Sequence, residues 1–202
     1  MDSRLHRLAS GCALAAWLTA LPASAGDKPQ PCIGIRPDTL EGLICSDREL
    51  LRLDRQLTWN YRRAFDALDY LRQLDLTDLD LRRQRERLRC WHVPDQRQCL
   101  ADDYRRRIAE LQALYSLLPV DGAYWLICSD RARTRLSATF YPSNPASLRI
   151  EFDGKPQVLL RETAASGLLY RSEQLQFHQQ DQQIRLRWPG SAGEQDCRLN
   201  PR

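Results

Sequence analysis

The apolar residues of this chain change period near Leu118-Pro-Val-Asp-Gly122, and no other feature constrains the fold as tightly. Upstream, Leu50, Leu53, Leu57, Tyr61, Ala64 and Leu68 recur at three- and four-residue steps, which puts them on one stripe of a helix. Arg52, Asp54, Arg55, Arg62, Arg63 and Asp66 keep the opposite face wet. Ser46-Asp-Arg-Glu49 reads as a capping box opening that helix, with Ser46 and Glu49 each satisfying the other's free backbone donor. A last helix repeats the pattern with Leu100, Tyr104, Ile108, Leu111 and Tyr115. Between the two, Leu79 to Leu88 is helical and thickly charged, and Trp91-His-Val-Pro94 ends it because proline disfavours helical geometry in the residue before it.

Downstream the period is two. In Arg133-Thr-Arg-Leu-Ser-Ala-Thr-Phe140 the residues Leu136, Ala138 and Phe140 share one face, and Ser147 to Phe152 alternates likewise. Asp153-Gly154 is a hairpin turn leading into Lys155 to Leu160. Shorter strands follow at Gly167–Arg171, Leu175–His178 and Gln183–Trp188. Many short strands separated by turn signals describe an antiparallel barrel or sandwich. The chain is therefore α+β, with a helical domain over 26–118, a linker at 119–122 and a β domain over 123–202.

The first 25 residues set the compartment. Arg4, His6 and Arg7 precede a short apolar run, Cys12 to Leu21, and Pro22-Ala23-Ser24-Ala25 supplies a small-x-small cleavage pattern. The run is too short to cross a bilayer, and no later segment is long enough. Ala9-Ser10-Gly11-Cys12 loosely resembles a lipobox but precedes the apolar run instead of following it. A signal peptide cleaved after Ala25 is expected, releasing a product to the periplasm. Once Arg4, Arg7 and Asp2 leave with it, the chain's 30 Lys+Arg and 26 Asp+Glu fall to 28 and 25, a net charge of +3. That balance gives no push towards nucleic acid. Cys32, Cys45, Cys90, Cys99, Cys128 and Cys197 remain. An even number in an exported chain describes a disulfide framework, with fifteen pairings open.

Catalytic chemistry finds little to work with. His92 and His178, the two histidines of the mature chain, lie in different halves, away from any metal-ligand spacing. No Cys-x-x-Cys, Gly-rich phosphate loop or Gly-x-Ser-x-Gly elbow occurs. Asp75, Asp78 and Asp80, Asp102 and Asp103, and the run Arg82-Arg-Gln-Arg-Glu-Arg87 read as solvated helix faces. No enzyme activity, cofactor, metal or nucleic-acid partner is expected, and nothing in the sequence fixes an oligomeric state.

Each half carries a family resemblance. Glu41-Gly-Leu-Ile-Cys45, Leu50 to Asp54 with Leu57 and Tyr61, and Cys99-Leu-Ala-Asp-Asp-Tyr104 through Leu111 resemble the N-terminal domain of the LprI family of lysozyme inhibitors. Gln84 stands where that family has glutamine, while Arg87 replaces its tryptophan. The likeness implies the local pairs Cys32–Cys45 and Cys90–Cys99. In the β half, Trp125-Leu-Ile-Cys128, Ser166-Gly-Leu-Leu-Tyr170, Phe177 and Asp196-Cys197-Arg-Leu resemble the MliC/PliC family of c-type lysozyme inhibitors. That likeness implies an eight-stranded antiparallel barrel closed by a Cys128–Cys197 bridge.

The second resemblance also implies a mechanism. Such inhibitors insert a loop carrying the serine of Ser-Gly-x-x-Tyr, and a lysine fourteen residues on, into the lysozyme cleft. Lysozyme works with two carboxylates, so a hydroxyl and an ammonium bind both and exclude the glycan. Here the serine is Ser166, with Gly167 and Tyr170 completing the motif. The lysine position is Gln180, and the following glycine is Asp181. Gln180 donates hydrogen bonds but brings no charge; Arg171 and Arg185 are the cations in neighbouring strands. The expected function is a periplasmic lysozyme inhibitor, or else a non-inhibitory envelope module that holds a protein or peptidoglycan.

Overall fold

A computed structural model describes residues 32–129, 136–152, 155–189 and 193–202, with the backbone alone at 152. The expected signal peptide, the expected turn at Asp153-Gly154 and Arg133 to Arg135 lie outside the described residues. The architecture is α+β. Helices α1 (Leu40–Ser46), α2 (Arg48–Asp66), α3 (Tyr70–Arg87) and α4 (Gln96–Leu114) precede β1 (Gly122–Cys128), β2 (Leu136–Tyr141), β3 (Ser147–Phe152) and β4 (Lys155–Glu162). β5 (Leu168–Arg171), β6 (Gln176–Gln180), β7 (Gln183–Arg187) and β8 (Gln195–Pro201) complete a closed barrel in chain order, each strand antiparallel to the next and β8 to β1.

The expected helical stripe is buried. Leu50, Leu53, Leu57 and Ala64 of α2 pack with Leu100, Tyr104, Ile108 and Leu111 of α4, while Tyr61, Leu68 and Tyr115 lean on the same core half-buried. The cap differs from expectation. Ser46 ends α1 and donates to the Leu43 carbonyl, and Asp47 caps α2 by accepting from the Glu49 and Leu50 amides at 2.8 and 2.9 Å. A carboxylate suits the positive end of a helix as well as serine does. Glu49 is thereby free to turn outward, where it meets Arg97 at 2.7 Å and also Arg105.

α3 starts nine residues before the expected Leu79, at the Asp69 cap, whose carboxylate accepts from the Arg72 amide at 3.1 Å. Past Arg87 the chain tightens into a 3-10 turn, Leu88–His92, and Val93 before the proline is extended. The arginine run is not wholly a solvated face, because α3 lays one side along α4. Arg87 reaches Asp103 at 2.9 Å and lies over the Tyr104 ring, and Arg83 reaches Glu110 at 3.5 Å. Asp103 is thus a partner, not a free surface carboxylate; Arg82 and Arg85 remain exposed.

The six cysteines pair as Cys32–Cys45, Cys90–Cys99 and Cys128–Cys197. The last bridge joins residues directly opposite one another across β1 and β8.

The barrel interior holds Leu126, Leu136, Ala138, Leu148, Ile150, Leu159, Phe177 and Leu186, as the period of two requires. Its outer face is not uniformly wet. Ser137, Thr139, Tyr141 and Ser147 are buried, since α4 packs across β2, β3 and β4. Residues 32–202 accordingly form one compact unit. At this seam Ser116 Oγ lies 3.0 Å from the Tyr141 hydroxyl. Arg149 of β3 donates to Ser116 Oγ at 3.0 Å and to the Ala113 and Leu114 carbonyls at 3.4 Å. These are last-turn carbonyls of α4, which have no partner within the helix and attract a cation.

Candidate functional site

The register of β5 and β6 builds the site. Leu168 pairs with Gln179, so the residues preceding β5 run beside those ending β6. Ser166-Gly167 and Gln180-Asp181, fourteen positions apart in sequence, therefore share one end of the barrel. Gln180 pairs with Gln183 across a two-residue turn in which Asp181 has φ 53°. Asparagine and aspartate tolerate that left-handed conformation better than most residues.

Gly167 is required by the same juxtaposition. Its φ is 74°, and a Cβ at this position would overlap the Gln179 carbonyl oxygen and crowd the Gln180 backbone. His178 Nε2 lies 3.1 Å from the Ser166 carbonyl oxygen, tying the loop to β6 a second time. Ser166, Gly167 and Gln180 are exposed. What results is a short, backbone-fixed ridge with a hydroxyl and a primary amide on it.

Tyr170 is not on that ridge. Its ring sits inside the barrel, edge-on to Phe140 at 5.7 Å and Phe177 at 6.1 Å, and burial raises the pKa of its hydroxyl. The motif's tyrosine thus anchors β5 from within while its serine and glycine face out.

The charges around the ridge are distributed unevenly. Arg171 lies at the far end of β5 and pairs with Glu162 at 2.9 Å. Arg185 stands opposite His178 in β7, 3.7 Å from Glu194. Arg161 of β4, directly opposite Tyr170, has no carboxylate within ion-pair distance among the described residues. It is close enough to the Tyr170 hydroxyl for its charge to oppose the rise in that pKa. Sequence reasoning passes over Arg161, because nothing but the β4–β5 register brings it beside Tyr170.

Among the described residues, no three of His, Cys, Asp and Glu group as a metal site, and no helix is long and apolar enough to cross a membrane. No curated protein and no solved structure matches the chain. Residues 128–195 match one family model, described as the membrane-bound lysozyme-inhibitor of c-type lysozyme, MliC; the match lies within the barrel and does not reach the helices.

Proposed function

We propose that the protein is an exported lysozyme inhibitor whose barrel presents the Ser166–Gly167 loop and the Gln180–Asp181 turn to a lysozyme cleft, protecting the bacterial wall from the periplasm. The family match over 128–195 is the observation that carries this reading. The exposed, rigid ridge supports it, because a preorganised loop loses little conformational freedom on insertion. Three disulfides suit an oxidising compartment. The helical half, with its resemblance to LprI inhibitors, is a second module carried on the same unit.

Charge decides how tight such binding is. A cleft with two carboxylates rewards a cation and penalises an anion. Gln180 supplies none and Asp181 opposes it; Arg161, opposite Tyr170 in the neighbouring strand, is the cation we assign to compensate. Purified mature protein is expected to slow lysis of a cell-wall suspension by a c-type lysozyme. Ser166→Arg and Arg161→Ala should each weaken inhibition, and Gln180→Lys should strengthen it by about one to two powers of ten, the scale of one well-placed charge pair. Undiminished lysis at high molar excess, with Gln180→Lys as well, would sink the reading.

Gln180 and Asp181 also favour a second one, a non-inhibitory envelope module that holds a protein or peptidoglycan. Inhibition gained only with Gln180→Lys would select it.

A further inference from the structure

α3 carries an apolar stripe that the fold leaves uncovered. Leu76 is buried in the helical core and Leu79 is half-buried, but Leu71, Leu74 and Leu81, with Leu88 just past the end of α3, are 71, 50, 47 and 57 % exposed. Leu74, Leu81 and Leu88 are spaced by seven, the interval that keeps residues on one seam between paired helices. From Leu71 to Leu88 the stripe runs about 25 Å at 1.5 Å per residue. Isolated exposed leucines need no explanation, but leucines that recur on one helix face over this length mark an interaction surface.

The charges bordering the stripe say what covers it. Asp75 and Asp78 stand in its first half, Arg82 and Arg85 in its second, and all four are exposed. Of the other charged residues of the same stretch, Arg83 and Arg87 reach α4, Asp80 lies beside Arg107, and the exposed Arg72 and Glu86 pair within the chain with Asp69 and Arg83. Asp78 and Arg82 pair within the helix at 2.7 Å, an exposed contact that exchanges at little cost. A border with Asp75 and Asp78 in one half and Arg82 and Arg85 in the other is complementary to itself when reversed. A two-fold axis near residue 80 keeps the same border on the same side of both helices and inverts its direction. Asp78 of one copy then faces Arg82 of the other, Asp75 faces Arg85, and Leu81 meets Leu81. A parallel two-fold moves this border to the opposite side of the seam in the partner and leaves its charges without these pairings.

We propose that α3 is a self-association surface through which two copies of this chain pair antiparallel, with the leucine stripe as the seam and the aspartate and arginine pairs fixing its direction. An interface of this size belongs to the weak, reversible class.

Analytical ultracentrifugation of the mature, disulfide-intact chain over a hundredfold range of concentration tests this. A monomer–dimer equilibrium is expected. Leu81→Glu, an exposed position that leaves the helical core untouched, places two like charges at the axis and should raise the dissociation constant at least tenfold. Asp78→Arg should also weaken the dimer, and Asp78→Arg with Arg82→Asp should restore it. Circular dichroism confirms that each variant is folded. A chain that stays monomeric throughout, alone or with a different protein held on α3, overturns the proposal, as does a dimer indifferent to Leu81→Glu. The outcome is independent of lysozyme inhibition.

Discussion

Ser116 Oγ lies 3.0 Å from the Tyr141 hydroxyl, linking the turn that ends α4 to the outer face of β2. Ser116 has φ 51°, and the amides of Ser116 and Leu117 bond back to the Ala113 and Gln112 carbonyls, so the turn is a Schellman cap built without glycine. Arg149 completes it from β3. Helices and barrel share this polar seam, and a single cooperative unfolding transition is expected. Tyr141→Phe should cost about 1 kcal/mol, the net value of a neutral hydrogen bond. Arg149→Ala should cost more, about 1–3 kcal/mol, because it leaves the half-buried Leu114 carbonyl without this donor. Urea denaturation followed by both far-ultraviolet circular dichroism and tryptophan fluorescence checks this; two separate transitions in the wild type would contradict a shared seam.

A second hydroxyl holds α2 to α4. Tyr104 is buried and donates to Asp54 at 2.8 Å. Burial pushes its pKa well above the ordinary tyrosine value, the nearby Arg87 charge opposing this and Asp54 adding to it. Removing the hydroxyl in Tyr104→Phe leaves Asp54 without this donor and should cost about 1.5–3 kcal/mol, the range for a bond to a charged acceptor. The sign with pH follows from the raised folded pKa. The contribution is intact below the unfolded value near 10 and is lost as pH climbs above it. Wild-type stability should therefore fall faster between pH 9 and 11 than that of Tyr104→Phe.

At the acid end the controlling group is the Asp47–Glu49–Arg97 cluster. Asp47 is held below its usual range by the Leu50 amide and then Arg97, and Glu49 by Arg97 first. Both folded values are depressed, so the stabilisation is present above the unfolded carboxylate range near 4 and is lost as pH falls through the folded values. The melting temperature should drop between pH 5 and 2. Arg97→Ala should lower it at pH 7 and flatten that acid limb. An unchanged limb would show that these carboxylates gain nothing from Arg97.

The hydrophobic period and the disulfide framework carried most of the architecture in linear form. α2, α4 and the strands β2 to β7 fall where the apolar spacing puts them, since one buried stripe or face leaves a local trace. Contacts between halves leave none. Ser137 and Thr139 have the alternation of wet positions, yet α4 covers them. Arg83 and Arg87 sit in a run that reads as solvated, and packing against α4 alone tells them from Arg82 and Arg85. The ridge was legible because Ser166 and Gln180 flank adjacent strands with a fixed register. Arg161 was not, for its place depends on a pairing between β4 and β5 that the spacing of residues does not encode.

Gly167 offers the sharpest test of how far the ridge depends on its backbone. Alanine there must adopt φ near 74°, a conformation that costs a residue with a Cβ about 1–2 kcal/mol. The new methyl also overlaps the Gln179 carbonyl, which is backbone and cannot swing aside as a side chain would. The loop must therefore lift from β6, breaking the contact between His178 and the Ser166 carbonyl. Gly167→Ala should lower stability by about 2–3 kcal/mol, while the core around Tyr170 and Phe177 stays packed. Amide hydrogen exchange locates the damage: protection should fall at Leu168, Gln179 and Gln180 and hold at Leu126 and Leu186. Uniform loss across the barrel would mean that Gly167 supports the whole sheet and not the ridge alone.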